Sequence, residues 1–457
     1  MDITTLNEHI HAVIWGPVML VAIMAAGVYF SVGTGFFQFS HFRHWMKKTL
    51  FSISKGSEAT SSTDKKATSQ FQSLATALAG SLGTGNIIGV ATAITAGGPG
   101  AIFWMWAAAL LGMMIKYAEN VLGVLYRRRN TKGEWEGGPM LYIEKGLNNK
   151  PLAVIFSVLC VLASFGVGNM AQVNAISASM ADTLGVPKVV TGLVTAIVVG
   201  FVILGGLNRI ARVSEKLIPF MSILYCLGGL VIICVHWRGI YPAFQSIFAG
   251  AFGLKPMLGG GAGFAISTAL RYGVARGVFS NEAGMGSSVI AHSTADVDHP
   301  AKQGMWGIFE VFVDTIVICS ITALAILSSG VYSAGACDEV LTIAAFEKVF
   351  GSWGGIFIAF SVFVFSFASL LGWSFYGWRG LAYITHDRGE LLYQVLFLGV
   401  TVLGSVINLE LAMSISDSFN GLMIIPNMIA LLLLSNQVFA QTKDYLKNEK
   451  RLPNKLK

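Results

Sequence analysis

Residues 79–91 read AGSLGTGNIIGVA and place Gly80, Gly83, Gly85 and Gly89 at the centre of an apolar segment. Each glycine inside a helix costs about 1 kcal/mol relative to alanine, so four near one depth predict a stretch of unwound backbone. Unwound backbone inside a membrane is tolerated only where it is buried in protein or lines a water-filled site. For one such cluster alone, close packing of two helices through small residues is the alternative.

A second apolar segment, 259–294, repeats this pattern, since residues 276–286 read RGVFSNEAGMG and combine glycine with charged and amide side chains. Five apolar segments run from 70 to 236 and five from 259 to 435. The glycine-rich segment comes first in each set, and because five is odd the two sets begin on opposite sides of the membrane. This arrangement predicts an inverted repeat whose broken helices meet near the middle of the bilayer.

The composition places the whole chain in a bilayer. Of its 457 residues, 54% are hydrophobic and 12% are charged, and the mean hydropathy is +0.66. A soluble domain carries about 25% charged residues, so a soluble enzyme and a disordered chain are excluded. Basic cytoplasmic loops, rather than nucleic acid, explain the formal net charge of +7. The five cysteines and eight histidines lack the spacing of a disulfide framework or a metal site.

A membrane-spanning helix needs about 20 mostly apolar residues. Eleven segments meet this length: 12–31, 70–96, 101–126, 152–181, 187–206, 216–236, 259–294, 303–329, 353–378, 390–408 and 411–435. The first span precedes the repeat, and it is predicted to stay in the mature protein because no Lys or Arg precedes it as in a signal peptide. We therefore predict an all-α integral membrane protein in which residues 1–457 form one domain, with a tail at 436–457.

The positive residues predict the orientation. Of the 31 Lys and Arg, 24 lie in alternate loops and the C-terminal tail, four lie in the loops of the other side and three lie within spans. Loops rich in Lys and Arg stay in the cytoplasm. The N-terminus is therefore predicted outside and the C-terminus inside, as an odd number of spans requires.

Four separated motifs resemble those of the alanine or glycine:cation symporter family. They are GTGNIIGVA at 83–91, EGGPMLY at 136–142, FSNEAG at 279–284 and LGWS at 371–374. The resemblance implies a LeuT-type fold of five plus five helices with one additional N-terminal helix, in the inner membrane of a bacterium. It also implies uptake of alanine or glycine, coupled to Na⁺ or alternatively to protons. No organic cofactor or nucleic acid is expected, and a monomer suffices.

An amino acid enters as a zwitterion, and both of its charges need partners inside the membrane. A half-helix that begins after Gly83 is predicted to present the N–H groups of Thr84, Gly85 and Asn86 to the carboxylate, which the positive end of the helix dipole favours. The glycine-rich stretch contains no acidic residue, which fits a substrate that brings its own carboxylate.

The ammonium group needs acceptors. Carbonyl groups freed around Gly277 and Phe279 and the side chain of Gln172 are predicted to provide them. A hydrogen bond between helices is an equally good role for Gln172. Asn281 joins the site through the family motif, and by their motif positions Phe279 and Trp373 are expected to close over the substrate.

The Na⁺ site follows from similarity to LeuT-like transporters. Its expected ligands are the carbonyl groups of Ala79, Leu82 and Phe365 and the hydroxyl of Ser369. Ala368 stands where such sites often carry a second hydroxyl. A weaker Na⁺ site, a carbonyl ligand from Ala368 and another coupling ion therefore stay open, and packing by a small residue is the alternative role of Ser369.

Charged residues inside the spans allow two interpretations. Lys116 and Glu119 are three apart and are expected to pair on one helix face. A gate network and a proton relay are both consistent with the remaining four residues, Arg276, Glu282, Glu310 and Asp314. The inverted repeat argues against a channel, and the lack of His-Glu-x-x-His, Gly-x-Ser-x-Gly and Walker motifs argues against an intramembrane enzyme and against direct use of ATP.

Overall fold

The structure is a computed structural model that describes residues 3–54, 56–253, 261–335, 340–407 and 410–451. The start of the predicted span 259–294, the end of the span 390–408 and the tail residues 452–457 lie outside the described residues.

The described chain is almost entirely helical. Its α-helices are Ile3–Ile14, Pro17–Gly33, Phe37–Ser40, Phe42–Lys48, Gln70–Ser81, Ile88–Gly97, Gly100–Leu125, Pro139–Leu147, Lys150–Phe165, Ala171–Leu184, Lys188–Ile203, Gly206–Val235, Ile240–Phe252, Gly261–Asn281, Val289–His292, Pro300–Val311, Ser320–Ser329, Val340–Phe350, Ser352–Thr385, Glu390–Val406, Glu410–Leu422, Ile424–Leu433 and Ser435–Arg451. Short 3₁₀-helices occupy Leu50–Ser52, Thr84–Asn86, Trp237–Gly239 and Tyr332–Ala334, and π-helices occupy Gly166–Met170 and Phe312–Cys319. An antiparallel hairpin pairs Arg128–Arg129 with Trp135–Glu136.

Among the described residues, seven helices are long and apolar enough to cross a membrane. They are Thr5–Gly33, Gly100–Leu125, Lys150–Leu184, Gly206–Val235, Pro300–Ser329, Ser352–Thr385 and Ser414–Leu433. Shorter apolar helices lie at Ile88–Gly97, Lys188–Ile203 and Glu390–Val406. Each of the eleven predicted segments contains helix, which confirms the all-α membrane class, while the count of eleven spans stays a prediction.

The first predicted break is present. A capping box starts the helix Gln70–Ser81, because Ser69 and Gln72 each accept a hydrogen bond from the other's backbone N–H at 3.1 Å. The chain leaves this helix at Leu82, makes the 3₁₀ turn Thr84–Asn86 and resumes an α-helix at Ile88–Gly97. We call residues 82–87 the first interruption.

The second break lies further along the chain than the sequence predicted. The helix Gly261–Asn281 runs without a break through Gly277. A methyl group added at Gly277 would lie 3.3 Å from the Met105 side chain and 3.4 Å from the Met105 backbone. This glycine therefore serves close helix packing, and its carbonyl is not freed as predicted. We call residues 282–288 the second interruption, which contains Glu282 at φ 56° and two glycines at positive φ.

The helix Ser352–Thr385, which we call the long helix, crosses the end of the helix Gln70–Ser81 at close range, just before the first interruption. A methyl group added at Gly372 would lie 2.6 Å from the backbone nitrogen of Gly80. Only glycine allows the two backbones to approach so closely. The contact places the predicted ion and substrate residues of the long helix beside the first interruption.

Candidate functional site

A cavity of about 350 Å³ opens beside the first interruption. Thr84 and Gly85 of the interruption line it, and so do Ile88, Gly89 and Thr92 of the helix that follows. The other helices contribute His11, Val167, Ala171, Arg276, Phe279, Ser414 and Asp417. The cavity therefore opens toward the membrane side on which the N-terminal helix begins.

Three predicted residues from three different elements meet at Gly83. A methyl group added there would lie 3.0 Å from Gln172 Oε1 and 3.1 Å from Ser369 Oγ. The backbone N–H of Thr84 points at the same Gln172 oxygen, at 3.4 Å. The interruption thus brings backbone donors, an amide oxygen and a hydroxyl together next to the cavity.

A π-helix orients Gln172. The turn Gly166–Met170 widens the helix just before Gln172, and such widened turns often occur at functional sites. The Gln172 amide nitrogen donates to the Val167 carbonyl at 3.2 Å, so its oxygen faces the interruption. One sequence feature indicates this turn, namely the closely spaced pair Gly166 and Gly168.

Phe279 and Trp373 occupy different places. Phe279 lines the cavity and packs edge to face against Trp15, with 6.5 Å between ring centroids. Trp373 is 2% exposed and packs against Gly168, where an added methyl group would lie 2.4 Å from its side chain. Trp373 is not one of the described residues that line the cavity. In this structure its ring therefore does not cover the cavity, where we expected it to close over the substrate.

The side chains of Asn86 and Asn281 hold the interruptions in place and do not line the cavity. Asn86 donates to Asp314 Oδ1 at 2.7 Å and to Ser280 Oγ at 3.1 Å. Asn281 donates to Thr315 Oγ1 at 3.1 Å and accepts from the N–H of Ala283 at 3.0 Å. Both asparagines therefore tie an interruption to the π-helical stretch Phe312–Cys319.

The expected ion site contains a buried hydroxyl. Ser369 Oγ donates to the Gly80 carbonyl at 2.9 Å, a partner that the sequence did not predict. The other expected ligands, Ala79, Leu82, Phe365 and Ala368, are all buried. One turn earlier on the long helix, Ser366 Oγ is buried and has no hydrogen-bond partner among the described residues. Since hard cations prefer oxygen ligands, this set suits a small monovalent cation.

Ionic contacts close the membrane side opposite the cavity. Arg379 is 5% exposed and pairs with Glu134 at 2.6 Å and Glu136 at 3.9 Å, both next to or within the hairpin. Arg127 donates to the carbonyl groups of Ala295 and Val297, at 2.5 and 3.1 Å. These bonds bind the hairpin to the long helix and to the segment after the second interruption.

The charged residues of the spans lie in two separate places. Lys116 pairs with Glu310 at 3.6 Å and with Glu119 at 4.0 Å, which confirms the expected pair on one helix face. Arg276 lies apart from them, at the cavity, with its guanidinium 5.7 Å from the centroid of the Phe279 ring. Whether the four residues considered for a gate network or a proton relay act as either stays a prediction.

The cavity mouth carries residues that sequence reasoning missed. His11 Nε2 lies 3.5 Å from Asp417 Oδ2, and Ser414 lies beside them. They are separated by about four hundred positions in the chain. No local pattern could therefore have joined them.

This structure has two broken helices that face each other, and the cavity at the first break is open to one side and closed to the other. These features define the LeuT type of secondary transporter. The solved structure of MhsT in complex with L-phenylalanine has this fold. It matches with a TM-score of 0.62 over 83% of this chain and 93% of that chain, at 14% identity.

The model of the sodium:alanine symporter family matches residues 1–456, and the chain belongs to this family. The sodium/alanine symporter AgcS of Methanococcus maripaludis is 41% identical over 97% of this chain and 98% of its own length. The probable sodium/glutamine symporter GlnT of Bacillus subtilis is 36% identical over 97% of this chain and 91% of its own length. The protein is a multi-pass, sodium-coupled amino-acid symporter and not an enzyme.

Proposed function

We propose that the protein takes up alanine, and glycine less well, together with Na⁺ by alternating access across a bacterial inner membrane, with its N-terminus outside. The observation that carries this proposal is the meeting of Gln172, Ser369 and the backbone at Gly83, beside the cavity. Donors for a carboxylate and acceptors for an ammonium group are both present there.

The carboxylate of the substrate binds the first interruption. Gly85 lies at the beginning of the 3₁₀ turn, where backbone N–H groups have no partner within the turn. The Thr84 N–H, which donates to Gln172 Oε1 at 3.4 Å, turns to the carboxylate when the substrate binds. The helix Ile88–Gly97 follows in the same direction and adds the positive end of its dipole. The oxygen of Gln172 then accepts from the ammonium group, since its amide nitrogen is already used by Val167.

The side chain of the substrate lies between Phe279 and Ile88 in the cavity. Burying a methyl group there contributes about 1 kcal/mol, so alanine is preferred to glycine by about fivefold. Glutamine, the substrate in the name of one relative, needs both more room and partners for its amide group.

The Na⁺ ion lies between the end of the helix Gln70–Ser81 and the long helix. Carbonyl groups at the end of a helix lack intrahelical donors, so those of Ala79 and Leu82 are free to face a cation. Ser369 Oγ lies next to both Gly80 and Gly83. The Ser369 hydroxyl therefore lies between the proposed Na⁺ site and the proposed substrate site. Binding of Na⁺ orders this hydroxyl and the backbone that the substrate contacts, and binding of the substrate does the same for the Na⁺ site. This shared contact couples the binding of the two ligands.

Uptake of labelled alanine into proteoliposomes tests the proposal, with Na⁺ and proton gradients imposed separately. We expect uptake that requires external Na⁺, competition by glycine and little competition by glutamine. Uptake that follows a proton gradient and ignores Na⁺ contradicts the Na⁺ site, and stronger competition by glutamine than by glycine contradicts the substrate assignment.

A further inference from the structure

A cluster of ionisable residues lies behind the second interruption, away from the cavity. It consists of Lys116, Glu119, Glu282, His292 and Glu310, and we call it the buried ion cluster. Each of these side chains is at most 3% exposed. Three carboxyl groups share this site with a single amine. Uncompensated charge inside a membrane protein is expensive, so this excess of acidic groups favours binding of a cation.

The cation that fits is a proton rather than a metal ion. Lys116 already occupies the centre of the cluster, where its ammonium donates to Ser288 Oγ at 2.7 Å and lies 3.6 Å from Glu310. A metal ion placed among the same carboxylates would be repelled by this ammonium group. Histidine, in contrast, ordinarily changes its charge between about pH 5 and 8.

His292 has a partner on each ring nitrogen. Its Nε2 lies 2.9 Å from Glu310 Oε2, and its Nδ1 lies 2.6 Å from the amide nitrogen of Gln303. The same amide nitrogen donates to Ser73 Oγ at 2.9 Å. The oxygen of the Gln303 amide is buried and has no hydrogen-bond partner among the described residues.

The Gln303 amide can serve both protonation states of His292. In the first orientation its NH₂ group donates to Nδ1, so the imidazole is neutral and donates to Glu310 through Nε2–H. Rotating the amide by half a turn puts its oxygen in the same place, where it accepts from Nδ1–H. The Ser73 hydroxyl, which donates to the Gln70 carbonyl at 2.7 Å, then turns its proton from that carbonyl to the Gln303 oxygen. The imidazolium ion then donates on both sides, toward Glu310 and toward Gln303.

We infer that His292 is a proton-binding site, in which a hydronium ion transfers its proton to Nδ1 and the Gln303 amide turns to accept a hydrogen bond from it. One O–H bond of the hydronium ion breaks, the N–H bond forms and a neutral water molecule leaves, and the positive charge faces the Glu310 carboxylate. The ionisable groups around it lie on the neighbouring elements: Glu310 on Pro300–Val311, Asp314 on the π-helical stretch Phe312–Cys319, Lys116 and Glu119 on Gly100–Leu125, Glu282 in the second interruption, Arg127 at the Ser293 carbonyl, and Tyr376 on the long helix. The helix Gln70–Ser81 contributes Ser73 and no charge.

Proton binding strengthens the closed state of the side opposite the cavity. Ser73 lies on the helix that ends at the first interruption, whereas Gln303 and His292 belong to the second repeat. Hydrogen bonds of a charged donor are stronger than neutral ones, and bonds in a chain reinforce one another. A protonated His292 therefore ties the two repeats together more firmly, and it slows opening toward the cytoplasm.

Histidine-selective NMR of the purified protein tests proton binding without any assumption about transport. We expect one resonance whose chemical shift changes with pH and that disappears in His292→Asn. The matched control is His386→Asn, since His386 is exposed, and it is expected to keep that resonance. A His292 resonance whose chemical shift does not change with pH overturns the inference.

Gln303→Glu supplies a second variant if His292→Asn fails to fold. A carboxylate at this position faces Nδ1 directly, so the midpoint of the His292 titration is expected to rise by about one pH unit or more. A midpoint that stays in place or falls overturns the role of Gln303.

The uptake experiment rests on the proposed function. With the external solution fixed, we expect Na⁺-driven alanine uptake to fall about fivefold when the lumen is acidified from about pH 8 to about pH 5.5. His292→Asn is expected to remove this dependence while leaving the dependence on Na⁺. An identical lumen pH profile in both proteins overturns the inference, whereas absence of any alanine uptake contradicts only the proposed function and leaves the NMR result standing.

Discussion

Replacing Gly85 by alanine separates a binding role of this glycine from a packing role. A methyl group added there would meet Ser280 Cα at 3.6 Å and Phe279 Cδ1 at 3.8 Å, which are ordinary contact distances. Gly85 is not among the residues at positive φ. The variant is therefore expected to fold, and it is expected to be as stable as the parent or more stable by about 0.4–1 kcal/mol, because alanine restricts the unfolded chain.

Binding responds in the opposite direction. The added methyl group projects toward Phe279 and takes up space that the proposed substrate fills beside the Thr84 and Gly85 N–H groups. A hydrogen bond to a charged group contributes about 1.5–3 kcal/mol, so losing one weakens alanine binding by about 10- to 150-fold.

Gly89→Ala is the matched control for this change. Gly89 lines the same cavity one turn further on, and no atom lies within 4 Å of a methyl group added there. Equilibrium binding of labelled alanine and the Tm should be measured for both variants. We expect a large loss of affinity in Gly85→Ala, a much smaller one in Gly89→Ala and an intact Tm in both. Near-normal alanine affinity in Gly85→Ala would refute the carboxylate site at the first interruption.

Three further predictions follow from the same geometry. Ser369→Ala is expected to raise the Na⁺ concentration for half-maximal uptake without lowering maximal uptake. Trp373→Phe loosens the packing against Gly168 in the π-helical turn that orients Gln172, so it is expected to weaken alanine binding indirectly at unchanged Na⁺ dependence; if neither parameter shifts, the long helix does not serve the site. An interior-negative potential of 100 mV is worth about 2.3 kcal/mol per charge, so with one Na⁺ per neutral alanine it should add about 50-fold accumulation, and uptake that ignores the potential argues against net charge movement. Arg379→Glu should lower uptake by breaking the ion pair with Glu134, and the exchange with Glu134→Arg should restore part of it; a double variant no better than the single one speaks against a closing role for this pair.

The sequence predicted the broken helices correctly for one segment and only partly for the other. Around Gly83 and Gly85 the glycines mark the unwound backbone itself, since the helix ends at Ser81 and resumes at Ile88. Around Gly277 the same residue type marks close packing against Met105, and the break begins after Asn281. Because glycine has no side chain, it weakens a helix and also lets another backbone approach closely. Glycine content alone therefore does not distinguish a broken helix from close helix packing.

For the candidate site, the sequence named residues from the right elements and misjudged where some of their side chains face. Gln172 does lie at Gly83. Trp373 is buried against Gly168. The side chain of Asn86 binds Asp314, whereas its predicted role at the substrate belongs to its backbone N–H and stays a prediction. Which side of a broken or widened helix faces a cavity depends on partners far away in the chain, as the bond between Asn86 and Asp314 across 228 positions illustrates.

The sequence by itself determined that the chain lies in a membrane, that a helix breaks at the glycine-rich segment around Gly83, and that its motifs resemble those of the alanine or glycine:cation symporter family. Hydropathy, glycine content and short motifs are local properties, and they can be read without knowing any contact. Only the tertiary structure decided that the cavity opens on the side of His11, that Arg379 closes the other side, and that His292 faces Glu310 and Gln303. Each of these depends on helices brought together by packing, and packing is set by the whole chain at once.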